Sequence, residues 1–283
     1  NDIVSSKLIV RCKGFIDLHG ERFHCWKKKG HGVVGMRTAI KKSCDVYFYE
    51  VARRLGIDRL SVTAKKFGLG EKVLKNFAEE KAGVVPDTRW KIRELGKNWY
   101  IGETLHSGIG QGYFLTTPLQ LSLMTAQIAN GGFKIQPRIL ISKNDQPSNL
   151  IKYLNYKNSI PGTIMSTDDQ IFKFGLQPLF RNQENINLVK DAMFAASNEI
   201  GGTSYRSRHK EKKFMFAGKT GSSQIKIFTA EQREAEVKQE NITYLDRDHA
   251  WFVAFAPVDN PRYAISVLVE HGGSGSSAAA PLA

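Results

Sequence analysis

A lysine, a threonine and a glycine stand in a row at residues 219–221, reached by the alternating apolar run in "FMFAGKTGSS". Lysine supplies a fixed cation, threonine a hydroxyl, and glycine removes the side chain that would hold a substrate backbone away. The same triplet also suits a plain strand end and turn, with the lysine reaching solvent, so partners must decide. The first candidates are Ser43 and Asp45, in "KKSCDVYFYEVA". They stand two positions apart inside a run with helical apolar spacing, which on a continuous helix points them to opposite sides. If both serve one site, the backbone must leave helical geometry near residues 43–45; otherwise they are a polar interruption in an amphipathic helix.

The three cysteines, Cys12, Cys25 and Cys44, form a second set. An odd number allows one disulfide plus a free thiol, or three unrelated buried thiols. His31 adds a third possibility. Cys12-x12-Cys25-x5-His31-x12-Cys44 offers three sulfurs and one nitrogen, the donor set of a closed tetrahedral structural zinc site, although the spacing lacks a Cys-x-x-Cys knuckle. His24 competes as the nitrogen ligand, but it directly precedes Cys25 and points awkwardly.

These residues need a scaffold, and the 283-residue chain can bury a large core as one big domain or two small ones. A hydrophobic content of 41% and a charged content of 24% are ordinary for a globular protein. No apolar run approaches the roughly 20 residues of a membrane span. Lysine and arginine exceed aspartate and glutamate by 14, a balance that favours anionic surroundings. The positive charges lie in short clusters without a finger, basic zipper or aromatic platform, so nucleic acid is not expected as a partner.

Residues 8–34 are Gly-punctuated and basic, suggesting irregular structure or small strands. Helical spacing runs from Met36 to Leu55, closed by Gly56, and again from Ile57 to Phe67. Residues 71–104 read as loop-rich. Thr116-Thr117-Pro118 starts a helix that Gly131-Gly132 stops, and Asn185–Ser197 forms another. Residues 142–163 read as polar and turn-rich, and 226–248 as a charged exposed excursion. Strands are expected at Lys213–Gly218, His249–Ala256 and Arg262–Glu270, the last two joined by "PVDNP". Helices followed by a closing antiparallel set predict an α+β fold.

The stretches "RFHCWKKKGHG", "SCDVYFYEVARRLGIDRL", "SGIGQGYFLTTPLQL", "AGKTGSSQ" and "HAWFVAFAP" occur in that order over residues 22–257. Together they resemble the transpeptidase domain of class B penicillin-binding proteins, closest to the elongation-specific branch. The resemblance implies the serine β-lactamase/D,D-transpeptidase-like fold, an antiparallel sheet packed with helices and one helical lobe. It also implies a serine D,D-transpeptidase that cross-links peptidoglycan stem peptides ending in D-Ala-D-Ala and is trapped by β-lactams. By the same resemblance Ser43 relays a proton and Asp45 occupies a position that is asparagine in much of the family. Lys219 and Thr220 hold the substrate's terminal carboxylate. Gly221 and Ser222 offer the strand edge to the stem peptide, and Ser222 or Ser223 supplies an oxyanion-hole N–H.

The family's Ser-x-x-Lys nucleophile element does not precede Ser43 in this sequence. Its two matches, Ser207–Lys210 and Ser223–Lys226, read as chance. The expectation is therefore that residues 1–283 form a partial transpeptidase domain. The nucleophile, the membrane anchor and a non-catalytic domain would lie before residue 1, leaving this piece catalytically incomplete. The branch further implies structural zinc on Cys12, Cys25, His31 and Cys44, a periplasmic place on the inner membrane and other cell-elongation proteins as partners. The rival readings are a serine β-lactamase and a non-catalytic β-lactam- or peptide-binding module.

Overall fold

The computed structural model describes residues 4–74, 77–140, 152, 175–180, 182, 184–225 and 241–283. The expectations for residues 142–163, residue 152 aside, and for most of 226–248 fall outside these. The amino-terminal part is two short antiparallel ribbons. β1 (Ile9–Cys12) pairs with β4 (Gly32–Gly35), and β2 (Phe15–Leu18) pairs with β3 (Glu21–His24). A helical lobe follows: α1 (Met36–Lys42), α2 (Asp45–Leu55), α3 (Ile57–Lys66), α4 (Thr88–Leu95) and α5 (Ile101–Gly108). Then come α6 (Pro118–Ala129), α7 (Glu184–Asn198) and the sheet β5 (Ala217–Ser223), β6 (His249–Ala256) and β7 (Tyr263–Val269).

The sheet is antiparallel in the order β5-β6-β7. Side chains alternate across a strand, and β6 shows what this does. Phe255 and its partly buried neighbour Val253 join Ala217, Ile128 and Met193 in a core shared with α6 and α7. Ala250, Phe252 and Ala254 face the other way, onto Ala279 and Ala280 of the short carboxy-terminal helical turns. Both faces of the central strand are thus covered, which explains its nearly continuous apolar sequence. The expected α+β architecture is the one observed.

Three expectations need correction. The run Met36–Leu55 is two helices, because Ser43 adopts a left-handed backbone (φ 52°) between α1 and α2. The strand expected at Lys213–Gly218 begins at Ala217 instead. Residues Lys212–Phe214 form a 3-10 turn, so the Lys-Thr-Gly triplet lies inside β5 rather than at its end. Residues 71–104 are not simply loop. Asp87 caps α4 by accepting from the Trp90 backbone N–H at 2.7 Å, and left-handed Gly96 closes that helix. Glu103 in α5 accepts from the Tyr100 backbone N–H and pairs with the buried Lys91 of α4.

Two positions make the lobe and the sheet close-packed. A Cβ on Gly108 would stand 2.4 Å from the Ala52 Cβ, so glycine lets α5 cross α2 in contact. A Cβ on Gly275 would stand 2.4 Å from the Gly221 carbonyl oxygen and 2.3 Å from that of Trp251, so glycine lets the carboxy-terminal turn lie directly against β5.

Candidate active site and cysteine cluster

β5 is an edge strand among the described residues, and its Lys-Thr-Gly-Ser segment borders a cleft of about 1080 Å³. Ser43, Asp45, Lys219, Thr220, Gly221 and Ser222 all line it. The Lys219 ammonium donates to the Ser43 hydroxyl at 2.8 Å and to the Thr220 carbonyl at 2.7 Å, joining residues 176 positions apart. Ser223 is turned elsewhere: its hydroxyl accepts from the Trp251 indole N–H at 3.0 Å. Of the two chance Ser-x-x-Lys matches, Ser207 lies in a 3-10 turn that does not line the cleft, and Lys226 is outside the described residues.

The break after α1 solves the orientation problem posed by Ser43 and Asp45. Left-handed Ser43 turns the chain so that both residues reach the cleft, while Cys44 between them is fully buried just ahead of α2. Asp45 opens α2, where a carboxylate complements the helix dipole, and its Oδ2 accepts from the Trp26 backbone N–H at 2.8 Å. It does not hydrogen-bond to Lys219. Burial pushes the Asp45 carboxyl up to about 7, reinforced by a Cys25 thiolate and opposed by the Trp26 N–H and the Lys219 charge. Burial also pushes Lys219 down to about 8, with the charge of Asp45 pulling the other way. At neutral pH the ammonium still carries its proton, and a bound anion would strengthen it.

Two further residues belong to this geometry. Thr203, just after the Gly201-Gly202 stop, accepts from the Thr220 hydroxyl at 2.9 Å, and its own N–H donates to the Lys41 carbonyl at the end of α1. Trp26 joins the ribbons to the α1–α2 turn. Neither carries a sequence signal of its own, because each acts through a contact made only in the folded chain. α1 is held to α7 by an ion network in which Arg37 bonds Asp191 at 2.6 Å and Glu199 at 2.6 Å, and Lys41 bonds Glu199 at 2.7 Å.

The cysteines converge behind the same turn. One ligand atom each from Cys12, Cys25, His31 and Cys44 lies within 4.8 Å of all the others, and the three thiols are unbridged. The His31 Nδ1 stands 3.7 Å from the Cys12 sulfur and 3.5 Å from that of Cys25. Zinc at about 2.3 Å from sulfur and 2.05 Å from nitrogen, with tetrahedral angles, requires a sulfur–nitrogen separation of about 3.6 Å. The cluster matches it. Crowding shows in the protons: Cys44 holds its own to hydrogen-bond Cys25, which pushes Cys25 down to about 4 and Cys44 up. Burial lowers His31, favouring the neutral ring that a metal needs. His24 is exposed in β3 and takes no part.

The sequence matches the model of the penicillin-binding protein transpeptidase domain over residues 2–283. The chain belongs to this family. Among curated relatives it is 34% identical over 281 residues to the peptidoglycan D,D-transpeptidase MrdA of Acinetobacter baumannii, covering 98% of this chain and 38% of that protein. To MrdA of Escherichia coli K12 it is 32% identical, covering 90% of this chain and 37% of the relative. Among solved structures, PBP2 of Helicobacter pylori in complex with MreC superimposes with a TM-score of 0.77 at 31% identity, covering 99% of this chain and 44% of that one. PBP2 of Pseudomonas aeruginosa, bound to WCK 5153, gives 0.76 at 32%, covering 99% and 55%. The chain therefore spans less than two fifths of the length of these curated relatives. Its fold is that of the penicillin-binding transpeptidases.

Proposed function

We propose that this chain is the substrate-holding part of a D,D-transpeptidase that cross-links peptidoglycan stem peptides during cell elongation. The observation that carries the reading is the meeting of Lys219 with Ser43 at 2.8 Å beside a strand edge that is unpaired among the described residues, in a cleft that also contains Asp45 and Thr220. In acyl transfer of this class a serine attacks the penultimate D-alanine carbonyl, D-alanine leaves, and an amine of a second stem resolves the acyl-enzyme. This chain's residues hold and orient the peptide around that chemistry. Lys219 and Thr220 bind the terminal carboxylate through charge-assisted hydrogen bonds. Gly221 and Ser222 pair the peptide backbone along β5, in the manner of a strand added to a sheet edge. Ser43, hydrogen-bonded to Lys219, relays a proton between the reacting atoms and that lysine. A backbone N–H of Ser222 or Ser223 stabilises the tetrahedral oxyanion.

Cys12, Cys25, His31 and Cys44 fit a structural zinc ion, which supplies a crosslink between the ribbons and the α1–α2 turn and takes no part in the reaction. β-Lactams, as mimics of D-Ala-D-Ala, enter the same cleft. No helix among the described residues is long and apolar enough to cross a membrane. Membrane attachment, action in the periplasm and partnership with elongation proteins, such as the MreC bound to the Helicobacter relative, are part of the proposal.

The test is calorimetric titration of the chain with a stem peptide ending in D-Ala-D-Ala and with its L-Ala-L-Ala isomer. Binding of the D-peptide alone, lost in both Lys219→Met and Thr220→Val, is expected. Equal binding of both isomers, or binding indifferent to Lys219, would overturn the reading.

A further inference from the structure

We propose that Trp26 is a positioning residue for the cleft, its indole N–H holding the left-handed turn that aims Ser43 and its backbone N–H holding Asp45. The proposal deepens the transpeptidase reading above and rests on it for the identity of the ligand.

The last carbonyls of a helix have no partner within it. At the end of α1 the Ser43 and Cys44 N–H groups reach back to the Ile40 and Ala39 carbonyls. The following carbonyls, those of Lys42 and Ser43, instead accept from the Trp26 indole N–H at 3.1 and 2.7 Å. One donor thus caps two carbonyls on either side of the residue whose φ is 52°, a conformation that side-chain-bearing residues avoid. The backbone N–H of the same tryptophan donates to Asp45 Oδ2 at 2.8 Å. A single residue therefore holds both the backbone that carries Ser43 and the carboxylate of Asp45.

Trp26 is not placed for packing. It is 61% exposed, and among the described residues its only ring contact is edge-on to His31, at 5.3 Å between centroids. Carbonyls at this half-buried turn, which borders the cleft, could take water in place of the indole. Loss of the donor should therefore change the conformation at Ser43 more than the stability of the fold.

The experiment uses the isotope-labelled chain with Trp26→Phe, and with benzothienylalanine at position 26, which keeps the indole shape and replaces N–H by sulfur. Backbone carbon shifts and the amide–α-proton coupling of Ser43 report its φ. Both variants should lose the left-handed signature while melting within about 2 °C of the parent, as expected for an exposed site. Affinity for the D-Ala-D-Ala peptide should fall about fivefold or more in the parent background and less than about twofold in Ser43→Ala, because the effect travels through Ser43. Unchanged Ser43 shifts in the benzothienylalanine chain, or equal affinity losses in the two backgrounds, would overturn the proposal. Should the parent bind no such peptide, the transpeptidase reading fails, while the Ser43 shifts still decide the role of Trp26.

Discussion

If the proposed zinc occupies the Cys12, Cys25, His31 and Cys44 cluster, withdrawing it should perturb the fold and the cleft together. Zinc gives finger peptides about 10–16 kcal/mol, but those peptides have no other core. Here the sulfurs sit among Phe23, Val34, Ala39, Val46, Tyr47, Tyr49 and Leu105, and neutral thiols still pack as small apolar groups. The ribbons are the vulnerable part, since β1 to β4 are only four residues each. An ion held at a thousand times its dissociation constant contributes about 4 kcal/mol. For a domain of this size that is a melting shift on the order of 8–16 °C.

Scanning calorimetry under reducing conditions, with and without chelator, reads the shift, and elemental analysis should find about one zinc per chain for a four-ligand site. Hydrogen exchange should then show protection lost first over residues 9–45 and retained in β5, β6 and β7, because the sheet has its own core with α6 and α7. Cys44→Ser should reproduce the chelator effect and weaken peptide binding, as Cys44 anchors the turn between Ser43 and Asp45. A chain stripped of metal that melts within about 2 °C of the untreated protein, with exchange over 9–45 unchanged, would refute the argument.

Gly221→Ala should leave stability within about 0.5 kcal/mol, since the nearest atom to its Cβ would be 3.4 Å away, yet weaken the D-peptide at least about tenfold by crowding the strand edge, as denaturation and calorimetry would show. Gly275→Ala should instead destabilise by about 1–3 kcal/mol, because its Cβ would overlap the Gly221 and Trp251 carbonyls. Thr203→Val removes the acceptor of the Thr220 hydroxyl and should cost about 1 kcal/mol of peptide binding by titration. The Arg37 and Lys41 charges hold the Glu199 carboxyl down to about 2; its stabilisation is complete above about pH 4.5 and is lost as pH falls toward 2. Screened at this partly exposed site, that is about 1 kcal/mol, and Glu199→Gln should flatten that part of the acid-unfolding profile.

What the sequence reveals of this molecule divides along physical lines. The continuous apolar run in "HAWFVAFA", Pro118 with its Thr117 cap, and the Gly131-Gly132 stop are local signals, and those elements stand where expected. α4 and α5 are eight residues each, too short for periodicity to register, although Asp87 and Gly96 mark the ends of α4. The expected strand start at Lys213 comes too early because "KKFMFAGK" is apolar enough for a strand throughout. The chain there first makes a 3-10 turn, and only from Ala217 does it find a partner in β6. The four residues that converge were legible as residue types with a spacing; that His31 rather than His24 faces the sulfurs depends on how the β2–β3 ribbon folds back.

Ser43 shows most clearly how local preference yields to the site. A helix advances about 100° per residue, so Ser43 and Asp45 on one helix would diverge while Cys44 pointed between them. The left-handed turn at Ser43 sends Cys44 into the sulfur cluster and leaves both neighbours on the cleft. Glycine would adopt that backbone without strain, and the position follows a helix end, where glycine is the common choice. A serine there forgoes that ease, and its hydroxyl is the atom that meets Lys219. That serine rather than glycine bears this strain is best explained by the contact its hydroxyl makes with Lys219. The cysteine cluster on one side, and Trp26 and Lys219 on the other, together hold the turn that Ser43 alone would not choose.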